Sequence, residues 1–303
     1  MIGKRALRAD VMLLAAAALW GTGFVAQRSA MEHMGPFLFN TLRYAIGAAI
    51  LLPAGHLMLR RLRTGWDGRV IRDGLVLGAV LALGAGLQQA GMVTTTASRA
   101  GFITGLYVLM VPAFALCFGH RPTKGNLAGV VLAFVGMLLF VDRGGGGASV
   151  GDWLVFGSAV AWALHVVLIG TMAPKRDPTA LVGVQFAAAA LLSGAVVLLF
   201  EPPVSVEWWG AALPVAYSGL FATAAAFTLQ FMAQRDAPPT HATILLSSEA
   251  LFAAVFGWLL LSESLGVREI SGGALMFAGA LVSQLGGRPG VVTGTGSDPT
   301  PPP

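Results

Sequence analysis

The chain has 303 residues, 56% of them hydrophobic and 11% charged, with a formal net charge of +5. Soluble domains carry roughly 25% charged residues, so this composition excludes an ordinary water-soluble globule and requires a protein solvated by lipid. The basic balance, with a pI near 10, does not require nucleic acid, because positive residues also mark the cytoplasmic ends of membrane helices.

A helix that crosses the ~30 Å hydrocarbon layer needs about 20 mostly apolar residues, since every backbone polar group must be bonded within the segment. By that template the sequence predicts an all-α membrane protein of ten transmembrane helices, over residues 10–31, 36–59, 73–92, 97–118, 124–141, 151–172, 179–200, 209–232, 238–261 and 269–287. The first, in "KRALRADVMLLAAAALW", has the basic start and apolar core of a secretion signal. It is read as a permanent helix because its Trp20 has a counterpart later in the chain. The second carries Arg43 near its outer end, where snorkelling or an acidic neighbour would accommodate the charge. It is followed by the longest connection, "RRLRTGWDGRVIRD" (Arg60 to Asp73).

The third span holds Gln88 and Gln89, and the fourth has Arg99 at its outer mouth, Gly101 and Gly105 at a close-packing spacing, then Tyr107. Pro112 is expected to kink the fourth span, and since its repeat counterpart is Ala254 the two halves should bend unequally. Cys117 is the single cysteine, which excludes an intramolecular disulfide framework and a multi-cysteine metal site; it is read as a buried packing residue. Gly125 and Gly129 repeat the close-packing spacing in the fifth span, Trp162 and His165 share a face of the sixth, and Gln185 in the seventh is placed to bond across helices. The eighth span holds Gln230 and the ninth His241, Ser248 and Glu249, while Glu263 and Glu269 read as helix-end or loop residues. The terminal "VVTGTGSDPTPPP" cannot bury a core and is expected to be disordered.

With the N-terminus inside, 14 basic residues fall on the inner side and 4 on the outer, so both termini are expected in the cytoplasm. The resulting division is a cytoplasmic N-terminus (1–9), a first five-helix repeat (10–142), a Gly-rich outer loop (143–150), a second, inverted repeat (151–287) and a cytoplasmic tail (288–303).

The repeat is read from scarce residues. A shift of 142 sets Asp10 on Asp152, Trp20 on Trp162, Pro36 on Pro178 and Gln88 on Gln230, and a shift of 143 sets Gly129 and Gly136 on Gly272 and Gly279. Five spans per half is an odd number, so the second half must enter the membrane from the opposite side. Inverted repeats characterise secondary transporters, whose substrate sits near the midplane between the halves.

Helix geometry places His241, Leu245 and Glu249 in one stripe of the ninth span, with Glu249 ~12 Å along the axis from His241 and near mid-membrane. The shift of 142 gives the fourth span the matching stripe Arg99, Ile103 and Tyr107. Ionisable groups at that depth cost roughly 2.5–3.5 kcal/mol on insertion scales and usually face the bundle interior or water. Glu249 either binds a substrate amine, cycles a proton or ties helices together. Trp20 and Trp162, mid-helix rather than interfacial, either wall a substrate or pack the bundle. The predicted substrate-binding set is therefore Trp20, Gln88, Tyr107, Trp162, His165, Gln230, Ser248 and Glu249, with Glu249 the candidate for ion coupling. Arg99 either attracts a carboxylate or solvates at the interface.

The stretches "LWGTGFVAQRSA", "LQQAGMVTTTASRAGFITGLYVLMVP" and "SSEALFAAVFGWLLLSESLGVREISGGALMFAGALV" resemble the EamA type of the drug/metabolite transporter superfamily across both halves. That resemblance implies ten helices in a basket around a central cavity, lined chiefly by spans one, three, four, six, eight and nine, and export of small metabolites, amino acids prominently. Arg121 stands where such proteins often carry a glutamate like Glu263, and Arg99 where the "TTAS" motif often continues with asparagine.

No His-Glu-x-x-His pair, no Gly-x-Ser-x-Gly elbow and no second intramembrane acid argues for an enzyme. No phosphate-binding loop is present, so direct ATP coupling would need another subunit. The function expected is alternating-access export of small amphiphilic metabolites, above all neutral amino acids, facilitated or in exchange for protons. The location expected is a bacterial inner (plasma) membrane, with no cofactor, metal or nucleic acid. The alternatives are a multidrug or cationic-compound exporter and a channel.

Overall fold

A computed structural model describes residues 4–95, 97–139, 149–202, 205–261 and 267–286. Glu263, the glycines at 144–147 and the tail lie outside the described residues, as do the side chains of Arg99 and Glu269.

The described residues form helices only: α1 (Lys4–Ala30), α2 (Pro36–Arg61), α3 (Gly68–Gly91), α4 (Ala97–Gly105), α5 (Tyr107–Cys117), α6 (Lys124–Leu138), α7 (Val150–Met172), α8 (Pro178–Phe200), α9 (Trp208–Tyr217), α10 (Ala226–Ala233), α11 (Pro239–Leu246), α12 (Glu249–Leu261) and α13 (Val267–Gly286). A π-helical segment, Ser218–Ala225, joins α9 to α10 without a break. Among the described residues, six helical stretches are long and apolar enough to cross a membrane: Lys4–Ala30, Pro36–Arg61, Gly68–Gly91, Val150–Lys175, Pro178–Phe200 and Trp208–Ala233. Leu191, Leu198, Phe200 and Leu213 are each more than 75% exposed. That exposure is expensive in water and free in lipid, so these side chains mark outward faces.

Helix starts follow from local chemistry. Pro36 and Pro178 occupy first turns, where no intrahelical N–H is lost. Asp67 and Asp177 accept hydrogen bonds from the first turns of α3 and α8, and Ser149 with Asp152 forms a capping box on α7. Glu201, at the end of α8, accepts from the amides of Phe37 and Leu38 at 3.0 and 2.9 Å, capping α2 from a distant part of the chain.

Two of the predicted spans are divided. The fourth is interrupted at Leu106, between α4 and α5, and the ninth at Ser247–Ser248, between α11 and α12. The shift of 142 sets Leu106 on Ser248, so the two interruptions fall at corresponding positions. Pro112 lies inside α5, six residues past the interruption, and the second half, with Ala254 at the position of Pro112, is interrupted at the matching place all the same.

α2 packs along α8, α3 against α7 and α8, and α1 against α10 and α12. α6 packs against α13 through glycines. A methyl at Gly129 would stand 2.6 Å from the Gly279 carbonyl, one at Gly279 2.6 Å from the Gly129 carbonyl, and one at Gly136 2.5 Å from that of Gly272. Backbone lies against backbone here, and no side chain can yield. Gly129→Val is therefore expected to separate α6 from α13 and to lower the melting temperature in detergent by ten degrees or more, or to abolish expression. Unchanged thermal unfolding would show that the seam is dispensable. At Gly101 a methyl would meet nothing within 4 Å, so the spacing in the fourth span does not mark a close approach there. Cys117 is exposed on α5, not buried, because it follows Leu116 and precedes Phe118 on the outward side of the helix end.

Candidate functional site: a central cavity and its two polar ends

The cavity lies among α1, α2, α3, α4, α5, α7, the π segment, α10, α11 and α12. The space between its walls, open mouth included, is about 590 Å³. Of the predicted substrate-binding residues, Trp20, Gln88, Tyr107, Trp162, His165, Gln230 and Glu249 line it. Ser248 does not: it is fully buried behind the wall at the helix interruption. The lining also includes Phe24, Gln27, Arg43, Tyr44, Thr104 and Phe227, which the sequence reading had not assigned to the site.

The two interruptions explain part of this arrangement. Tyr107 is the first residue of α5 and Glu249 the first of α12, so both side chains leave the backbone where a helix restarts. Glu249 is 5% exposed, and among the described residues its carboxylate has no hydrogen bond or ion pair. The stripe drawn through His241, Leu245 and Glu249 is not continuous, because it crosses the break. His241 turns instead to Asp10 and Ser283.

The indoles form an aromatic wall with Phe227. Trp20 and Phe227 meet edge-on at 5.0 Å, and Trp162 lies 6.3 Å from Phe227 and 5.8 Å from His165 between ring centroids. Their polar atoms differ. Trp20 Nε1 donates to the carbonyl of Ala222 at 2.8 Å, a group within the π segment. Its repeat mate Trp162 faces α3, a regular α-helix, and its Nε1 has no acceptor among the described residues. The glutamines differ in the same sense. Gln88 Nε2 donates to Thr104 Oγ1 at 2.8 Å. The position matching Thr104 is Leu246, which offers no oxygen, and Gln230 Oε1 is unbonded. The free donors and acceptors thus belong mainly to the second half. His165 Nε2 donates to Gln185 Oε1 at 2.8 Å, the cross-helix bond expected of Gln185, while Nδ1 is left without a partner.

Arg43 neither snorkels nor pairs with an acid. It is 6% exposed, donates from Nη2 to Tyr44 Oη at 2.8 Å, and lies over the rings of Phe39 and Tyr44 at 5.3 and 4.7 Å. Gln89 is buried away from the cavity, with Nε2 3.5 Å from the carbonyl of Gln27.

Polar networks tie helices together at both ends of the bundle. At the end where α1 begins, Asn126 Nδ2 donates to Ser283 Oγ at 2.8 Å, Ser283 Oγ lies 3.0 Å from His241 Nδ1, and His241 Nε2 donates to Asp10 Oδ1 at 2.8 Å. With neutral His241 every donor in this chain points toward the carboxylate, and α6, α13, α11 and α1 are tied together. At the opposite end Thr95 Oγ1 donates to Asp152 Oδ1 at 2.6 Å, joining the end of α3 to α7. Asp152 is the repeat mate of Asp10. Among the described residues no group of three or more His, Cys, Asp or Glu could hold a metal ion.

The model of the EamA-like transporter family matches residues 7–142 and again 149–284. A protein of Archaeoglobus fulgidus described as an uncharacterized transporter is 30% identical over 284 residues, covering 93% of this chain and 88% of its own length. The uncharacterized transporter YoaV of Bacillus subtilis is 25% identical, covering 88% and 92%. A crystal structure 22% identical superposes with a TM-score of 0.73, covering 91% of this chain and 96% of its own, which shows a common fold.

Proposed function

The chain belongs to the EamA-like transporter family, and from that premise we propose that it exports small metabolites, amino acids foremost, by alternating access, as a facilitated carrier or in exchange for protons. The observation that carries this reading is the central cavity, in which an unpaired buried carboxylate, Glu249, stands among aromatic walls and unbonded amide and indole groups. Carboxylates are kept at such cost where they handle a cation or a proton.

The ten spans and the inverted repeat, 10–142 and 151–287, belong to the same proposal. Supporting them are the two successive family matches, the paired interruptions at Leu106 and Ser248, and seams that join repeat-related helices: α2 with α8, and α6 with α13. In this reading one half rocks against the other, the bundle lies in a bacterial inner membrane, and both termini are cytoplasmic. The network of Asp10, His241 and Ser283 then closes the cytoplasmic side, and Thr95 with Asp152 closes the outer side.

The test is uptake of radiolabelled neutral amino acids into proteoliposomes containing the purified protein. Saturable uptake, absent from protein-free vesicles, is expected. Flux of a lipophilic cation with none of any amino acid would replace this reading with drug export, and discrete single-channel currents would replace it with a channel.

A further inference from the structure

Arg43 has a place in the cavity wall that neither proton coupling nor aromatic packing explains. A guanidinium without a counter-ion is costly inside a membrane bundle, and among the described residues Arg43 has no acidic partner. It lies instead over the rings of Phe39 and Tyr44 and donates one N–H to the Tyr44 phenol. Its Nε–H has no acceptor. A guanidinium with unused donors suits a planar, doubly accepting anion such as a carboxylate. Trp162 and Gln230, whose Nε1 and Oε1 have no partner among the described residues, line the same cavity, as does Glu249.

We propose that Arg43 is the carboxylate subsite of the central cavity, and that the substrates are zwitterions whose carboxylate it binds while their ammonium is met by Glu249 and Gln230. The remaining wall, Trp20, Trp162 and Phe227, takes an apolar or aromatic side chain. A zwitterion leaves both buried charges compensated at once, which neither a simple amine nor a simple acid does. This inference rests on the transport reading above and names the substrate class of that site.

The experiment compares L-phenylalanine with L-phenylalaninamide, which keeps the ammonium and ring but lacks the carboxylate, in proteoliposomes of wild type and Arg43→Met. Wild type is expected to prefer the acid by at least about tenfold in kcat/KM, the scale of a charge-assisted hydrogen-bond pair. In Arg43→Met that preference should fall to within about twofold, through loss of the acid and not of the amide. Tyr44→Phe, which deletes only the hydroxyl that positions the guanidinium, provides a milder variant if the first is poorly folded. It is expected to lower kcat/KM for the acid about threefold or more and to leave the amide unchanged. A wild type that moves neither these compounds nor any other neutral amino acid overturns the transport reading before any variant is made. A wild type that moves the acid no better than the amide, or variants that keep the wild-type preference or lose both substrates equally, overturn the subsite and leave transport standing.

Discussion

Glu249→Gln is expected to lose accumulation of substrate against a proton gradient by about tenfold or more, and to retain exchange of substrate across the vesicle membrane in part. The substitution keeps the shape of the side chain and removes the only property that coupling requires, a proton that can leave. The carboxylate is 5% exposed and without a polar partner among the described residues, so folding does not depend on its charge. An amide in the same place avoids the insertion cost of an ion, roughly 2.5–3.5 kcal/mol at the bilayer centre, and the variant should be at least as stable as wild type. Flux in the variant should also become independent of pH over the range in which wild-type flux varies. A variant with unchanged accumulation and unchanged pH dependence would remove the carboxylate from the mechanism.

Much of the site was legible because polar and aromatic residues are scarce in this chain. An Asp, Trp or Gln inside an apolar helix must have a reason, and the shift of 142 that pairs them picked out Trp20 with Trp162, Gln88 with Gln230 and Tyr107 with Glu249, all of which line the cavity. Position along each helix was legible too, since it follows from residue number. Azimuth was not. Arg43 was placed correctly near one end of α2, but which way it points is decided by the rings of Phe39 and Tyr44 and by the seam with α8, none of which follows from spacing. The same ignorance misplaced Cys117 and drew His241 onto the stripe of Glu249.

The helix interruptions were hidden for a local reason. The break after α11 has no proline or glycine; Ser247 Oγ donates back to the carbonyl of Ile244 at 2.8 Å, one of the local bonds by which serine competes with the helical ladder. Serines in a membrane helix are too common for that to be read as a break. Nor does "SGLFATAA" advertise the wider turns of the π segment. Yet those features distinguish the two halves in their hydrogen bonding. The π segment supplies the carbonyl that occupies Trp20, and the regular α3 leaves Trp162 free, so repeat-related residues of identical type have unequal chemistry. Pseudo-symmetry of sequence therefore identifies site positions without saying which half binds.

His241→Gln is expected to loosen the end of the bundle at which α1 begins, shifting the population open at that end by about five- to thirtyfold. The scale follows from the ~1–2 kcal/mol of a cross-helix polar link in a membrane protein. The imidazole bonds on both sides, to Asp10 at 2.8 Å and to Ser283 at 3.0 Å, and is the member that reaches α1. Glutamine can reach one neighbour at a time, so the tie between α1 and α13 through α11 is cut while α6 and α13 stay joined by Asn126, Ser283 and their glycines. The measurement is the rate at which a membrane-impermeant thiol reagent modifies a cysteine placed at Ala16, which is fully buried on α1 between Asp10 and the cavity residue Trp20, in a background with Cys117→Ser. Faster labelling in His241→Gln is expected, with Asp10→Asn giving a similar increase and the double variant less than the product of the two, as two groups in one link must. Asp10→Asn and His241→Gln that multiply independently, or labelling as slow as in wild type, would mean that the closure at this end is steric and made by helix packing alone.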